Sequence, residues 1–235
     1  ALNEKMGLQV QINDGVHFYY NLFVRKVTIK NLKNWPRRVR VFFNHDFSIS
    51  GNNIGDTALL DPVTRGICHY KRDIYLLANG STQGKGIYQY AIGRKRFLGA
   101  EGTWRDAEDG WLGGNPIDHG SIDSTISFEI LLEAKEEESL WYWIALGDRI
   151  MAVRELDNIV REQGPGYLLR ETRDYWKNWV NRHEWKFGDL PEKVSKLFKQ
   201  SLLIVRTQCD NNGAILAATD SDILATARDN YNYIW

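Results

Sequence analysis

Thr125-Ile126-Ser127-Phe128-Glu129-Ile130-Leu131 is the stretch that decides the fold class of this chain. Ile126, Phe128 and Ile130 fall at every second position, with Thr125, Ser127 and Glu129 between them. Successive strand residues point to opposite faces, so the spacing predicts a strand buried on one side. A helix would spread the same three apolar residues around its axis.

Working outward, similar β-branched and aromatic runs occur at 8–12, 16–30, 37–50, 66–80, 87–93, 124–134 and 140–147. Turn signals divide them at Asp14-Gly15, Asn34-Trp35-Pro36, Ser50-Gly51-Asn52-Asn53 and Asn79-Gly80. Many short strands with no helical period between them predict an antiparallel sandwich over about residues 6–147. The period changes after Gly147. Ile150, Val153, Leu156 and Ile159-Val160 have helical spacing, and Gly164-Pro165-Gly166 ends that run. Helices are predicted near 149–162, 166–181 and 191–208. The third follows Pro191, a residue suited to a first helical turn. Its apolar positions Val194, Leu197, Phe198, Leu202 and Val205, widened by Leu203 and Ile204, predict burial on more than one side.

Thirty basic and thirty acidic residues balance in the 235-residue chain. That balance argues against a nucleic-acid or polybasic membrane partner. Apolar runs such as 201–205 fall far short of the roughly 18–20 residues that span a bilayer. Cys68 and Cys209 are too few for a disulfide scaffold and are expected to be reduced thiols. A cytoplasmic setting is the expectation. Asn79-Gly80-Ser81 matches a glycosylation sequon, but Asn-Gly is a tight-turn signal and is taken as one.

The acidic stretch Glu101, Asp106, Glu108 and Asp109, between Trp104 and Trp111, has the ingredients of a glycosidase site. Its Gly-rich setting instead predicts carboxylates that cap backbone N–H groups and pair with Arg105. His17, His45, His69, His119 and His183 are dispersed without a metal-ligand spacing. Cys68 and His69 alternate faces on a strand. The stretch 80–86 has glycines and a lysine but not the order of a phosphate loop, and is expected to be a hairpin connection. No cofactor is implied.

Three ordered blocks narrow the class. VFFNHDFSISGNNIGDTALLDP (41–62) is similar to a Phe-Phe-x-x-Asp-Phe…Gly-Asp-Thr-Ala…Asp-Pro pattern. FLGAEGTWRDAEDGWLGGNPIDHGSIDS (97–124) is similar to a Glu-Gly-Thr-Trp…Asp-Ala-Glu-Asp-Gly…Gly-Asn-Pro pattern. From Leu190 onward, a helix, a DNNG turn, a small-residue segment and the aromatic RDNYNYIW follow in order. Together these resemble glycoside hydrolase family 15, which holds glucoamylases, glucodextranases and some trehalases.

The resemblance implies a super-β-sandwich at 1–147 with its first strands missing, a helical linker at 148–190, and the start of an (α/α)6 catalytic barrel at 191–235. In the family the last aromatics run into Trp-x-Arg-Asp, and this chain stops at Trp235. The implied activity is inverting cleavage of α-glucosidic bonds, with both catalytic glutamates beyond Trp235 and none in this chain. The resemblance places Tyr231 and Trp235 at the subsite for the non-reducing-end glucose. The implied partners are an α-glucoside or oligosaccharide and the remainder of the catalytic domain. Self-association is expected of a chain that carries a helix without its neighbours. The alternatives are a non-catalytic carbohydrate-binding sandwich, a structural interaction domain, or a trehalase of the same family.

Overall fold

The computed structural model describes residues 1–52, 54–96, 98–210 and 212–215. The chain divides into two compact units, Ala1–Thr172 and Arg173–Trp235. The first holds β1 (Leu2–Asn3), β2 (Leu8–Val16), β3 (Leu22–Asn31), β4 (Arg37–His45), β5 (Asp56–Leu60) and β6 (Ile67–Lys71). It continues with β7 (Ile74–Thr82), β8 (Gln89–Arg94), the short helix α1 (Thr103–Asp106), β9 (Ile117–Gly120), β10 (Ile122–Leu132) and β11 (Glu137–Gly147). Two longer helices follow, α2 (Ile150–Gln163) and α3 (Pro165–Val180), and α3 crosses the boundary between the units.

Every strand pairing is antiparallel. Eight strands make one sheet in the order β1-β2-β3-β11-β7-β6-β5-β9, and three make the other in the order β4-β10-β8. Between the sheets, Val27, Ile29, Ile67 and Leu140 meet Ile92, Ile126, Phe128 and Ile130 in one buried cluster. The opposite face of the large sheet is buried too. There Leu22, Val24, Cys68, Leu77 and Trp143 lie under Val153 and Val160 of α2 and Leu168 of α3. The expected sandwich therefore carries a helical third layer, and the large sheet is buried on both faces.

Two glycines taken as turn signals lie inside strands. Gly15 is in β2, where an added Cβ would come 2.7 Å from the Leu169 side chain. Gly80 is in β7, where a Cβ would stand 2.5 Å from the Phe128 ring. Their role is close approach of a neighbour, not chain reversal. Asn79 is correspondingly buried, and its amide donates to Thr64 O at 3.1 Å and Asp157 Oδ1 at 3.0 Å. The actual reversals are at residues 17–21 and at Arg72, which has a left-handed φ of 55° and splits the predicted 66–80 strand into β6 and β7. The strand β5 and the short β1 and β9 carry too few alternating positions to stand out in the sequence.

Asp157 anchors the helical layer. One carboxylate oxygen accepts from Asn79 and from the Trp143 indole N–H at 2.8 Å, and the other accepts from Arg161 at 2.6 Å. Beside it, Asp61 of the DP segment accepts from Thr64 and from the Arg154 guanidinium. Burial pulls the Asp61 carboxyl upward, but the bonds from Arg154 and Thr64 outweigh it and hold the group below its usual range.

A second polar network joins the two sheets through the core. The Tyr142 hydroxyl and His45 Nε2 lie 2.8 Å apart, His45 Nδ1 and Ser124 Oγ 2.9 Å, and His69 Nε2 and Ser124 Oγ 2.7 Å. A single direction of proton donation satisfies all three links with both imidazoles neutral. Burial lowers the His45 pKa to about 4, and burial together with the neighbouring His45 and Lys95 charges lowers that of His69. Next to this network, the buried Lys95 ammonium pairs with Asp46 and donates to Phe47 O at 2.9 Å.

The second unit contains the rest of α3 and α4 (Glu192–Thr207). The three long helices lie within a residue or two of the predicted spans. Trp185 packs edge-on against Phe198 at 5.0 Å, and Lys199 donates to Asn181 Oδ1 at 2.7 Å. The broad apolar surface expected of α4 is uncovered: the helix has no buried residue, and Leu197 and Ile204 are 61% and 56% exposed. Among the described residues no helix is long and apolar enough to cross a membrane.

Two outcomes follow from the networks. Asp157→Ala strips the acceptor from two buried donors and should destabilise the chain by about 3–5 kcal/mol in urea unfolding. Glu155→Ala, on the exposed side of α2, should stay within about 0.5 kcal/mol. Acid should also weaken the fold before the carboxylates titrate. The folded His45 pKa of about 4 lies below its ordinary 6.5, so its neutral-state stability is complete above that value. The stability falls as pH drops through the interval, by about 3 kcal/mol for a shift of this size. Urea midpoints measured at pH 7 and pH 4.5 check this, and equal midpoints would contradict it.

Candidate functional site

The acidic stretch between Trp104 and Trp111 is occupied with its own folding. Arg105 stands 3.0 Å from both Glu101 and Glu108. Asp106 accepts the Gly113 amide at 2.6 Å, and Asp109 accepts the Trp111 amide at 2.8 Å. These are the capping and pairing roles that the Gly-rich setting predicted.

The loop is held down from below. Asp123 of β10 accepts the Thr103 amide at 2.9 and 2.8 Å, and Asn44 donates to Asp123 at 3.0 Å and to Thr125 Oγ1 at 3.0 Å. Thr125, expected on an exposed strand face, is thereby buried with its hydroxyl 2.9 Å from Thr103 Oγ1, and Ser127 on the same face is buried as well. Residues 98–116 act as a cover on the small sheet. Nearby, the Arg40 guanidinium lies 4.5 Å from the Trp111 ring and 5.4 Å from the Tyr88 ring.

The other reactive groups are also placed structurally. Burial, with the Asp61 charge nearby, pushes the Cys68 thiol up to about 12, so it stays protonated. The Ser124–His45 and Ser124–His69 pairs resemble a nucleophile and base, but all three residues are buried in the core with no path for a substrate. Among the described residues no cluster of His, Cys, Asp and Glu is arranged to hold a metal ion. Tyr231 and Trp235 lie outside the described residues.

A different place has the form of a binding site. The β2–β3 turn, His17-Phe18-Tyr19-Tyr20-Asn21, faces the end of α2 and the first half of α3. Together they line a cavity of about 580 Å³ with His17, Tyr19, Tyr20, Gln163, Tyr167 and Glu171. That volume lies within the range of roughly 300–1,000 Å³ typical of small-molecule sites.

The turn is rigid. His17 Nδ1 accepts the Tyr19 amide at 3.2 Å and the Tyr20 amide at 3.0 Å, which leaves the ring proton on Nε2. Nε2 points at Glu171 Oε2, 3.3 Å away. The imidazole stacks on Phe18 and Tyr20 with centroids 4.7 and 4.9 Å apart. Its side chain is 2% exposed, whereas Tyr19 is 78% exposed and Tyr167 48%. A second hollow, of about 950 Å³, shares Tyr19 and Tyr20 with the first.

The sequence does not single out this place, because 16–30 reads as one strand. The signal available was three consecutive aromatics, Phe18-Tyr19-Tyr20, which break the alternation expected of a strand. The helical side of the groove could not be paired with the turn from sequence, since His17 and Glu171 are 154 residues apart.

No protein-family profile matches the chain. Over 232 residues, or 95% of its length, it is 23% identical to an uncharacterized glycosyl hydrolase of Methanocaldococcus jannaschii, and it spans 35% of that relative. Among solved structures it is similar to a bacterial glucoamylase complexed with acarbose. The TM-score is 0.62 at 11% identity, over 92% of this chain and 31% of the glucoamylase. An inverting mannosidase of family GH92 from Bacteroides thetaiotaomicron aligns over 89% of the chain and 26% of its own, with 14% identity. The TM-score is 0.48. The chain has a glycoside-hydrolase-like fold, and its length is about a third of that of the glycosyl hydrolase it matches.

Proposed function

We propose that this chain is the N-terminal part of an inverting glycoside hydrolase of the glucan 1,4-α-glucosidase kind, resembling family 15. The observation that carries this reading is the order of its parts. A super-sandwich covered by helices is followed by a helix with uncovered apolar residues, and the fold aligns with a bacterial glucoamylase over 92% of the chain. The relative from Methanocaldococcus jannaschii is itself described as a glycosyl hydrolase. In this reading residues 1–147 form the sandwich domain, 148–190 the linker and 191–235 the start of the catalytic barrel. Tyr231 and Trp235 would line the first glucose subsite.

The chemistry needs one carboxylic acid to protonate the glycosidic oxygen and one carboxylate to activate water on the opposite face. The acidic residues of the 97–124 block are engaged in capping and ion pairs, so both catalytic groups are assigned to the rest of the whole protein. The sandwich would buttress that domain.

The test compares two polypeptides on maltose, isomaltose and trehalose. One is the 235-residue chain, and the other is extended by the coding sequence that follows it. The extended protein should release β-glucose, the inverted anomer, from at least one of the three substrates, while the chain alone turns over none. Glucose release by the chain itself, abolished by Glu101→Gln, would overturn the assignment. So would an inactive but folded extended protein.

The uncovered face of α4 supports a second outcome. Val194, Leu197, Ile204 and Val205 are 40–61% exposed, and burying one such side chain is worth about 1.5–3 kcal/mol. The isolated chain should therefore sediment as a dimer or larger species. Leu197→Glu combined with Ile204→Glu should shift it to monomer. A native chain that is monomeric at high concentration would contradict this.

A further inference from the structure

We propose that the groove beside the β2–β3 turn is a binding site for a neutral, α-linked glucose oligosaccharide. Four properties point to that chemistry. First, the groove is pre-formed, because the His17 ring locks the turn through two backbone amides and two ring stacks. A preorganised wall avoids the ordering penalty of binding.

Second, its polar tips are unused. The Gln163 amide and the hydroxyls of Tyr19, Tyr20 and Tyr167 line the cavity with no hydrogen-bond partner among the described residues. An amide and phenols both donate and accept, which suits sugar hydroxyls, since these do the same. Third, the rings supply flat, amphipathic faces against which the C–H face of a pyranose can lie. Fourth, the charged group of the lining is Glu171, with one oxygen facing the His17 N–H. A carboxylate accepts from hydroxyls and repels phosphate or other anions, so a neutral polyol is favoured over an anionic ligand.

The second hollow continues past Tyr19 and Tyr20. The exposed Tyr19 ring and the half-buried Tyr20 beside it therefore stand between two depressions, and a chain of several sugars fits this better than a monosaccharide. That the sugar is α-linked glucose rests on the proposed function; that it is a saccharide rests on the groove.

Calorimetric titration of the 235-residue chain with glucose, maltotriose, maltohexaose and choline tests the site. Maltohexaose should bind more tightly than maltotriose, and glucose and choline weakly or not at all. Tyr19→Ala and Gln163→Ala, both away from the buried core, should each weaken maltohexaose at least tenfold with unchanged circular dichroism. Trp111→Ala, on the distant cover loop, should leave binding intact. The site is refuted by an absence of glucan binding, by equal loss in Trp111→Ala, or by choline binding as well as maltohexaose, which would mark an aromatic cage for cations. The two proposals fail separately. An extended protein that releases glucose while the groove binds no glucan sinks only the groove. Glucan binding with no glucose release sinks only the enzymatic reading.

Discussion

A sheet buried on both faces needs something to hold the second cover in register, because apolar contact alone is non-directional. Here that constraint is the Asp157 carboxylate. It reaches from α2 into the large sheet and takes the Trp143 indole, the Asn79 amide and, on its outer side, Arg161. Each bond is specific to one position along the helix, so α2 can seat in one register. Asp61 and Arg154 repeat the arrangement one turn earlier. The surrounding apolar residues, Val153, Val160 and Leu168, then close the layer. An isolated buried carboxylate would be unfavourable, and its pairing with several donors is what makes the position tenable.

The groove is a product of the same docking. The β2–β3 turn has a fixed shape of its own through His17, but it becomes one wall of a cavity once α2 and α3 are seated. Gly15 takes part in this, since any side chain there would meet Leu169. A helix layer set by buried carboxylates thus brings Gln163, Tyr167 and Glu171 opposite a turn far away in the chain. The small sheet has its own cover, the 98–116 loop, bound through Asp123 and Thr103. The carboxylates that look most enzymatic in the sequence are spent on that cover, in ion pairs and amide caps.

Much of the architecture was legible in the sequence. Period-two patterns in long strands such as β10 and β11, and the helical stripes of α2 and α3, depend on neighbours in sequence, and so did their approximate bounds. The same local rules predicted that Asp106 and Asp109 would cap amides within their own loop, since those partners lie two to seven residues away. What the sequence by itself determined was therefore the list of long elements and the short-range bonding of its loops.

The tertiary structure decided everything that depends on what comes close from afar. Asn79-Gly80 has the local signature of a turn, yet β7 runs straight through it because Phe128 needs the space over Gly80 and Asp157 needs the Asn79 amide. Thr125 looks like a solvent-facing residue until a loop covers it. The aromatics at 18–20 pass for strand until the chain is seen to reverse there, and their helical counterparts are known only once α2 and α3 are docked. A turn signal, a polar face or an aromatic run states what a segment can do alone. Which use is realised depends on the energies of contacts with residues many tens of positions away, and the local pattern does not encode those contacts.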